Sequence, residues 1–133
     1  MMIQGLCHIG VYTKDLKCSI DYYTQILGFE LKWQGIVDHP TMGMIPVAVT
    51  GLGDCTIELV QPADEGAINQ NAGPVQHIAL KVDNINEFVA LLKAKNIQFY
   101  PDVIEDLPSF WDGIRHIFIY GPSNERIELV EEY

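Results

Sequence analysis

The strongest constraint on how this chain folds is that it repeats itself. The segment His8-Ile9-Gly10-Val11-Tyr12-Thr13-Lys14-Asp15-Leu16 is matched by His77-Ile78-Ala79-Leu80-Lys81-Val82-Asp83-Asn84-Ile85. Further along, Thr56-Ile57-Glu58-Leu59-Val60 is echoed by Arg126-Ile127-Glu128-Leu129-Val130. The first pair is displaced by 69 residues and the second by 70. A single I-E-L-V tetrad means little, but two motifs displaced by nearly the same distance mark one supersecondary unit used twice.

Each copy reads as β-α-β-β-β. Residues from about 3 to 13 alternate and carry Val, Ile and Tyr, which predicts a strand. Leu16, Ile20, Tyr23 and Leu27 then fall on one helical face, with Asp15 as N-cap and Gly28 as a left-handed stop. In the second copy Asn84 and Glu87 form a capping box, Ile85, Phe88, Val89 and Leu92 make the apolar stripe, and Asn96 takes the place of the stop glycine. Three strands follow each helix, at about 29–37, 45–51 and 54–62, and then at about 97–103, 114–120 and 125–131. The Pro-, Asp-, Gly- and Asn-rich stretch from Gln61 to Gly73 is the natural linker. The expectation is an α+β fold within a single domain spanning 1–133. Its two tandem βαβββ modules, one over about 1–66 and the other over about 73–133, form a curved, mostly antiparallel eight-stranded sheet around a trough.

At 133 residues the chain has the size of one ordinary domain with its own core. No apolar run approaches the roughly 20 residues of a membrane helix, and Met1-Met2-Ile3-Gln4-Gly5 has neither the basic nor the apolar region of a secretory signal, so a cytoplasmic protein is expected. Three cysteines, Cys7, Cys18 and Cys55, without C-x-x-C spacing, are read as reduced core thiols rather than a disulfide framework. Lys and Arg number 8 against 18 Asp and Glu, a net charge of -10. That balance repels a phosphate backbone, which excludes nucleic acid as a partner, and it favours cations.

Strand parity sorts the side chains. Cys7, Ile9 and Val11, together with Ile78, Leu80 and Val82 and the Ile-Leu pairs 57/59 and 127/129, share an apolar face that meets the helices. His8, Gly10, Tyr12, Glu58, His77, Ala79 and Glu128 fall on the opposite face. A lone strand His is usually a hydrogen-bonded structural residue, and a Glu between Ile and Leu usually a solvated face. Two imidazoles and two carboxylates related by an internal repeat are a different matter. They form a pseudo-twofold donor set suited to one divalent ion, with His8, Glu58, His77 and Glu128 as ligands and positions left open for substrate. His39 and His116 have no counterpart in the other copy and are left out of the set. The stretches Ile36 to Pro46, with His39, Met42 and Met44, and Ile104 to Ile114, with Phe110 and Trp111 beside Gly113, are expected as loops that tuck their apolar residues onto the core or a dimer surface, the alternative being a lid over an apolar pocket.

These motifs resemble the vicinal oxygen chelate superfamily, and within it glyoxalase I (lactoylglutathione lyase) and methylmalonyl-CoA epimerase. The resemblance covers nearly the whole chain. It rests on His8-Ile9-Gly10-Val11 with Lys14-Asp15-Leu16, Asp21-Tyr22-Tyr23 running to Leu27-Gly28-Phe29, Gln76-His77-Ile78-Ala79 with Val82-Asp83, and Gly121-Pro122 with Arg126-Ile127-Glu128-Leu129. It implies a homodimeric, methylglyoxal-detoxifying type of lyase or isomerase holding Ni, Zn or Co, with Mn or Fe suited to the same donors. It further implies that an enediolate is stabilised by the ion and that a metal-side glutamate moves the proton, Glu128 as first choice and Glu58 as second. Where glutathione-using bacterial members carry an Arg four residues after the first metal His, this chain has Tyr12, so glutathione is not implied.

Three other functions share parts of this pattern. An acyl thioester epimerase differs in substrate but not in proton chemistry. A ring-cleaving Fe(II) dioxygenase needs two His and one carboxylate, and Glu58 is then surplus. A non-catalytic antibiotic-binding protein needs no ligand set at all. Arg126, on the trough side with Glu128, is a candidate contact for an anionic small-molecule substrate or a rim ion pair.

Overall fold

The computed structural model describes residues 6–40, 42–68, 75–110 and 112–133. The first residues of the expected opening strand, part of the expected linker, and Trp111 lie outside that set. The chain divides into two compact units, Met1–Gln70 and Asn71–Tyr133.

In the first unit, β1 (Ile9–Tyr12), β2 (Glu30–His39), β3 (Gly43–Leu52) and β4 (Cys55–Val60) form a four-stranded sheet in the order β1-β4-β3-β2. In the second, β5 (Ile78–Lys81), β6 (Glu105–Leu107), β7 (Ile114–Tyr120) and β8 (Arg126–Glu132) repeat it as β5-β8-β7-β6. Eight strands, the expected number, are thus present as two four-stranded sheets. Each has one parallel pair, Gly10 opposite Glu58 and Ala79 opposite Glu128, with its other pairs antiparallel. The parallel pairing follows from the β-α-β order, because a helix must carry the chain back before a second strand can run beside the first.

The helices start and stop where the sequence marks them. Helix α1 (Leu16–Asp21) is capped by the Asp15 carboxylate, which accepts from the Cys18 amide at 3.1 Å, and α2 (Ile85–Ala94) by Asn84, which accepts from the Glu87 amide at 3.1 Å. A second device serves both copies. The Leu16 amide donates to Gln61 Oε1 and the Ile85 amide to Glu131 Oε1, each at 2.8 Å, so the residue just past or near the end of β4 and β8 ties the helix start to the sheet. Gly28 at φ +80° and Asn96 at φ +62° end the helical segments in the left-handed region. The first helix is not uniform. After Asp21 it widens into a π-helical turn, Tyr22–Ile26, where the Thr24 hydroxyl takes the Ile20 carbonyl at 2.7 Å and the Leu27 amide reaches back to Tyr22.

Parity is obeyed. Ile57 and Leu59 are fully buried, as are Ile127 and Leu129 at 1% exposure, while Glu58 between the first two stays partly exposed. Tyr23, 1% exposed, packs edge-on against Phe29 with ring centroids 5.6 Å apart. On the other face of the first sheet, Ile45, Val47 and Val60 form a smaller apolar cluster with Val37 and Met42 against it.

Several expectations are corrected. No strand covers 97–103; β6 begins at Glu105, because Pro101 has no N–H to give a ladder and only the Tyr100 amide reaches β7, at the Phe118 carbonyl. The stretch 36–46 is mostly hairpin rather than loop, with Ile36 opposite Pro46 and His39 opposite Gly43, and His39 Nδ1 accepts from the Met42 amide at 3.0 Å. The cysteines are free but are not core residues: Cys7 and Cys18 are exposed and Cys55 is half-buried.

Candidate metal centre

Each unit brings its expected His and Glu together. In the first, His8 precedes β1 and Glu58 sits on β4 opposite Gly10, with His8 Nε2 3.7 Å from Glu58 Oε2. Both side chains are about a third or more exposed. A Cβ on Gly10 would lie 3.9 Å from Glu58 Oε1, so the small residue leaves room beside the carboxylate. In the second unit His77 precedes β5, Glu128 sits on β8 opposite Ala79, and His77 Nε2 lies 3.2 Å from Glu128 Oε1. Glu128 is buried, at 9% exposure.

The second pair is built into a network. Gln76 Oε1 accepts from Arg126 Nη1 at 2.9 Å, and because an arginine can only donate, this contact fixes which end of the amide faces the ring. His77 Nδ1, 2.6 Å from the same oxygen, is therefore the donor nitrogen of that ring. In the neutral tautomer Nε2 then turns a lone pair toward the Glu128 carboxylate. Two acceptors facing each other across 3.2 Å are held together by a positive charge between them, which a proton on Nε2 or a bound cation supplies. Two donors about 2.1 Å from a common ion are separated by 3.2 Å when the angle at the ion is near 100°, between the octahedral and tetrahedral values. The donor set of the second unit therefore fits a divalent ion as it stands. At 3.7 Å, His8 and Glu58 have to close by a few tenths of an ångström to reach the same range. Among the described residues no group of three or more His, Cys, Asp or Glu side chains is arranged around a common point.

Phe118, on β7 opposite Glu128, is the wedge of this network. Its ring lies edge-on to His77 and His116, with centroids 6.0 and 5.0 Å away, and the Arg126 guanidinium stacks 3.7 Å above it. Arg126 thus buttresses the site, and Arg115 is held by Asp106, Asn86 and Glu131. His116, set aside in the sequence because the repeat gives it no partner, lies beside Glu128: Nδ1 is 2.6 Å from Glu128 Oε2, and Nε2 is 3.1 Å from Glu105 Oε1. The signal that could have found it is parity, since His116 and Phe118 alternate with the buried Ile117 and Ile119. An open pocket of about 520 Å³ adjoins His77 and Glu128, walled by Ala79, Phe110, Ile114 and Tyr133. Gly113 contributes at φ +98°, where a Cβ would run into the Tyr133 ring.

A duplicated βαβββ scaffold with one His/Glu pair on the same face of each copy, and an open pocket beside the second pair, defines a class of small α+β proteins. The chain belongs to the glyoxalase/bleomycin resistance protein/dioxygenase superfamily, whose family model matches residues 7–110. It is 32% identical over 133 residues to the uncharacterized protein YwbC of Bacillus subtilis, covering 98% of this chain and 99% of that one. It is 33% identical over 99 residues to human mitochondrial methylmalonyl-CoA epimerase, covering 70% of this chain and 54% of the epimerase. To the lactoylglutathione lyase of Schizosaccharomyces pombe it is 27% identical over 154 residues, covering 99% and 49%. The chain spans about half the length of these last two relatives. The fold is shared with a glyoxalase family protein from Enterococcus faecalis, at a TM-score of 0.78 and 21% identity over 98% of this chain and 100% of that one. It is also shared with the Listeria monocytogenes fosfomycin resistance protein FosX in complex with Mn(II) and sulfate, at a TM-score of 0.70 and 19% identity over 99% and 95%. The chain's relatives thus include a lyase and an epimerase, and its fold is shared with a protein solved with a divalent metal. No helix among the described residues is long and apolar enough to cross a membrane.

Proposed function

We propose that this protein is a metal-dependent lyase or isomerase of the glyoxalase I kind, which moves a proton on the carbon next to a carbonyl. The observation that carries the reading is the His77–Glu128 pair, whose donor nitrogen is spent on Gln76 so that a lone pair and a carboxylate face each other beside an open pocket. His8, Glu58, His77 and Glu128 would hold one Ni, Zn or Co ion, with Mn or Fe as substitutes. When bound, the ion supplies positive charge at the carbonyl oxygen and so lowers the pKa of the adjacent C–H.

The chain's own residues do the rest. Ala79 and Gly10 leave space beside the carboxylates, and Phe110, Ile114 and Tyr133 give an apolar wall that excludes water from one side of the substrate. Glu128 is assigned as the general base, because it lines the pocket in which a substrate C–H would lie, and Glu58 is the second assignment. The arginines Arg115 and Arg126 are both engaged within the second unit, which supports a substrate other than a multiply charged anion. A homodimer in the cytoplasm belongs to the same proposal.

The acyl thioester epimerase is the second reading, favoured by the likeness to the human epimerase. Stripping and restoring the metal, then following solvent deuterium into hemithioacetals and 2-methyl acyl thioesters by NMR, separates the two. Exchange into hemithioacetals alone supports the lyase, and exchange into thioesters alone supports the epimerase. Exchange into neither, with oxygen consumed on a catechol, overturns both in favour of a dioxygenase.

A further inference from the structure

The two copies differ at one position inside the candidate centre. On β3 Val47 stands opposite Val60; on β7 His116 stands opposite Val130, which occupies the same place in the second copy. Duplication therefore put an apolar residue in one copy and a hydrogen-bonding ring in the other. Val47 is 5% exposed and joins the apolar cluster of Ile45 and Val60. The His116 side chain, 12% exposed, instead meets a carboxylate at each nitrogen, Glu128 Oε2 at 2.6 Å and Glu105 Oε1 at 3.1 Å. Phe118 packs edge-on against the ring, so its plane is held as well as its ends.

We infer that His116 is a positioning residue that clamps Glu128 through Oε2, so that Glu128 offers a single oxygen, Oε1, to the ion and to the substrate. This rests on the metal-dependent reading above and assigns it a residue beyond the four repeat-related ligands. Glu128 has two oxygens and two neighbours. Oε2 is taken up by His116 Nδ1, which leaves Oε1, the oxygen 3.2 Å from His77 Nε2, as the one facing the site. A carboxylate anchored at one oxygen cannot pivot into two-oxygen ligation without breaking a short, charge-assisted hydrogen bond. Such partners orient ligands and tune their basicity, and losing one typically weakens metal affinity about 10- to 100-fold. In the first copy Val47 offers no donor, and among the described residues the closest ion-pair partner of Glu58 is His8 at 3.7 Å. The carboxylate of the second copy thus has an anchor at Oε2 that the position of Val47 cannot supply to Glu58 in the first.

The experiment uses the full chain loaded with Co(II), reading the dissociation constant by competition with a chromophoric chelator and the ligand-field spectrum without substrate. Three variants separate the outcomes. His116→Val copies the residue that the first module uses at this position. His116→Asn places its amide nitrogen where Nδ1 lies and so keeps the contact to Glu128. His116→Gln places its nitrogen nearer Nε2 and keeps only the contact to Glu105. The clamp predicts a roughly 10- to 100-fold weaker Co(II) affinity and a shifted visible band for Val and Gln, with Asn within about threefold of wild type. Wild-type affinity and spectrum in His116→Gln and His116→Val, or equal losses in Asn and Gln, overturn it. If His116→Val does not fold, the Asn and Gln pair decides alone. A wild-type protein that takes up no Co(II) overturns the metal-dependent reading and the clamp together, which distinguishes that failure from a failure of His116 alone.

Discussion

Replacing Gln76 with Ala tests whether the second copy is held by its surroundings as the geometry requires. The substitution removes the oxygen that accepts from His77 Nδ1 at 2.6 Å and from Arg126 at 2.9 Å. Gln76 is exposed, so water replaces part of what is lost, and the net cost of one such hydrogen bond is about 0.5–1.5 kcal/mol. The freed ring then divides between two tautomers, only one of which presents a lone pair at Nε2, adding roughly 0.4 kcal/mol for a twofold loss of the competent form. The total of about 1–2 kcal/mol corresponds to a metal affinity lower by roughly 5- to 30-fold. The control lies in the chain itself. Cys7 precedes His8 as Gln76 precedes His77, and Cys7→Ala, which removes no such acceptor, should leave affinity within about twofold. Thermal stability should fall by about 0.5–1.5 kcal/mol in Gln76→Ala, which loses hydrogen bonds, and stay within about 0.5 kcal/mol in Cys7→Ala, which changes an exposed residue without one. Chelator competition with Zn or Co(II) measures the affinities. Equal affinities for Gln76→Ala and Cys7→Ala would show that the amide does not select the tautomer of His77.

Three further outcomes concern the scaffold. Leu59→Ala should cost about 2–5 kcal/mol in denaturant unfolding, because Leu59 is fully buried, whereas Glu58→Ala beside it should cost under about 1 kcal/mol and act on metal binding instead. Asn84→Ala removes the side chain that accepts from the Glu87 amide and should lower stability by about 1 kcal/mol in thermal or denaturant unfolding, while Asn84→Asp should retain the cap. A thiol reagent should titrate Cys7 and Cys18 quickly and Cys55 slowly in the native protein. Burial pushes the Cys55 thiol up from its ordinary range and reduces its thiolate fraction.

What could be read from the sequence was what both copies share. The caps Asp15 and Asn84, the stops Gly28 and Asn96, and the parity that buries Ile57 and Leu59 while turning Glu58 away are each local consequences of residue type and period. The pairing of His8 with Glu58 and His77 with Glu128 followed from strand parity and the repeat. The parts that were not legible are those where the copies diverge. Gln76 and His116 have Cys7 and Val47 as counterparts, so a search for repeated residues passes over them, and Arg126, placed on the trough side by parity, turns to Gln76 and Phe118 instead of a substrate or a rim carboxylate. Their roles depend on cross-strand register, which places Phe118 rather than His116 opposite Glu128 and makes the His116 contact a diagonal one. Ile97, Phe99 and their polar neighbours alternate like a strand, yet Pro101 has no N–H to give, and the Tyr100 amide reaches the Phe118 carbonyl without a ladder forming. The π-helical turn at Tyr22–Ile26 depends on a Thr24 side-chain bond that helical periodicity does not encode.

Whether the two copies serve one ion together is decided by metal content, measured by equilibrium dialysis. The expected result is one Ni, Zn or Co ion per chain for the wild type, and a fall of at least about 100-fold in affinity when either His8 or His77 is replaced by Ala. Two ions per chain, or a His8→Ala protein that keeps wild-type affinity, would mean instead that each His/Glu pair acts alone.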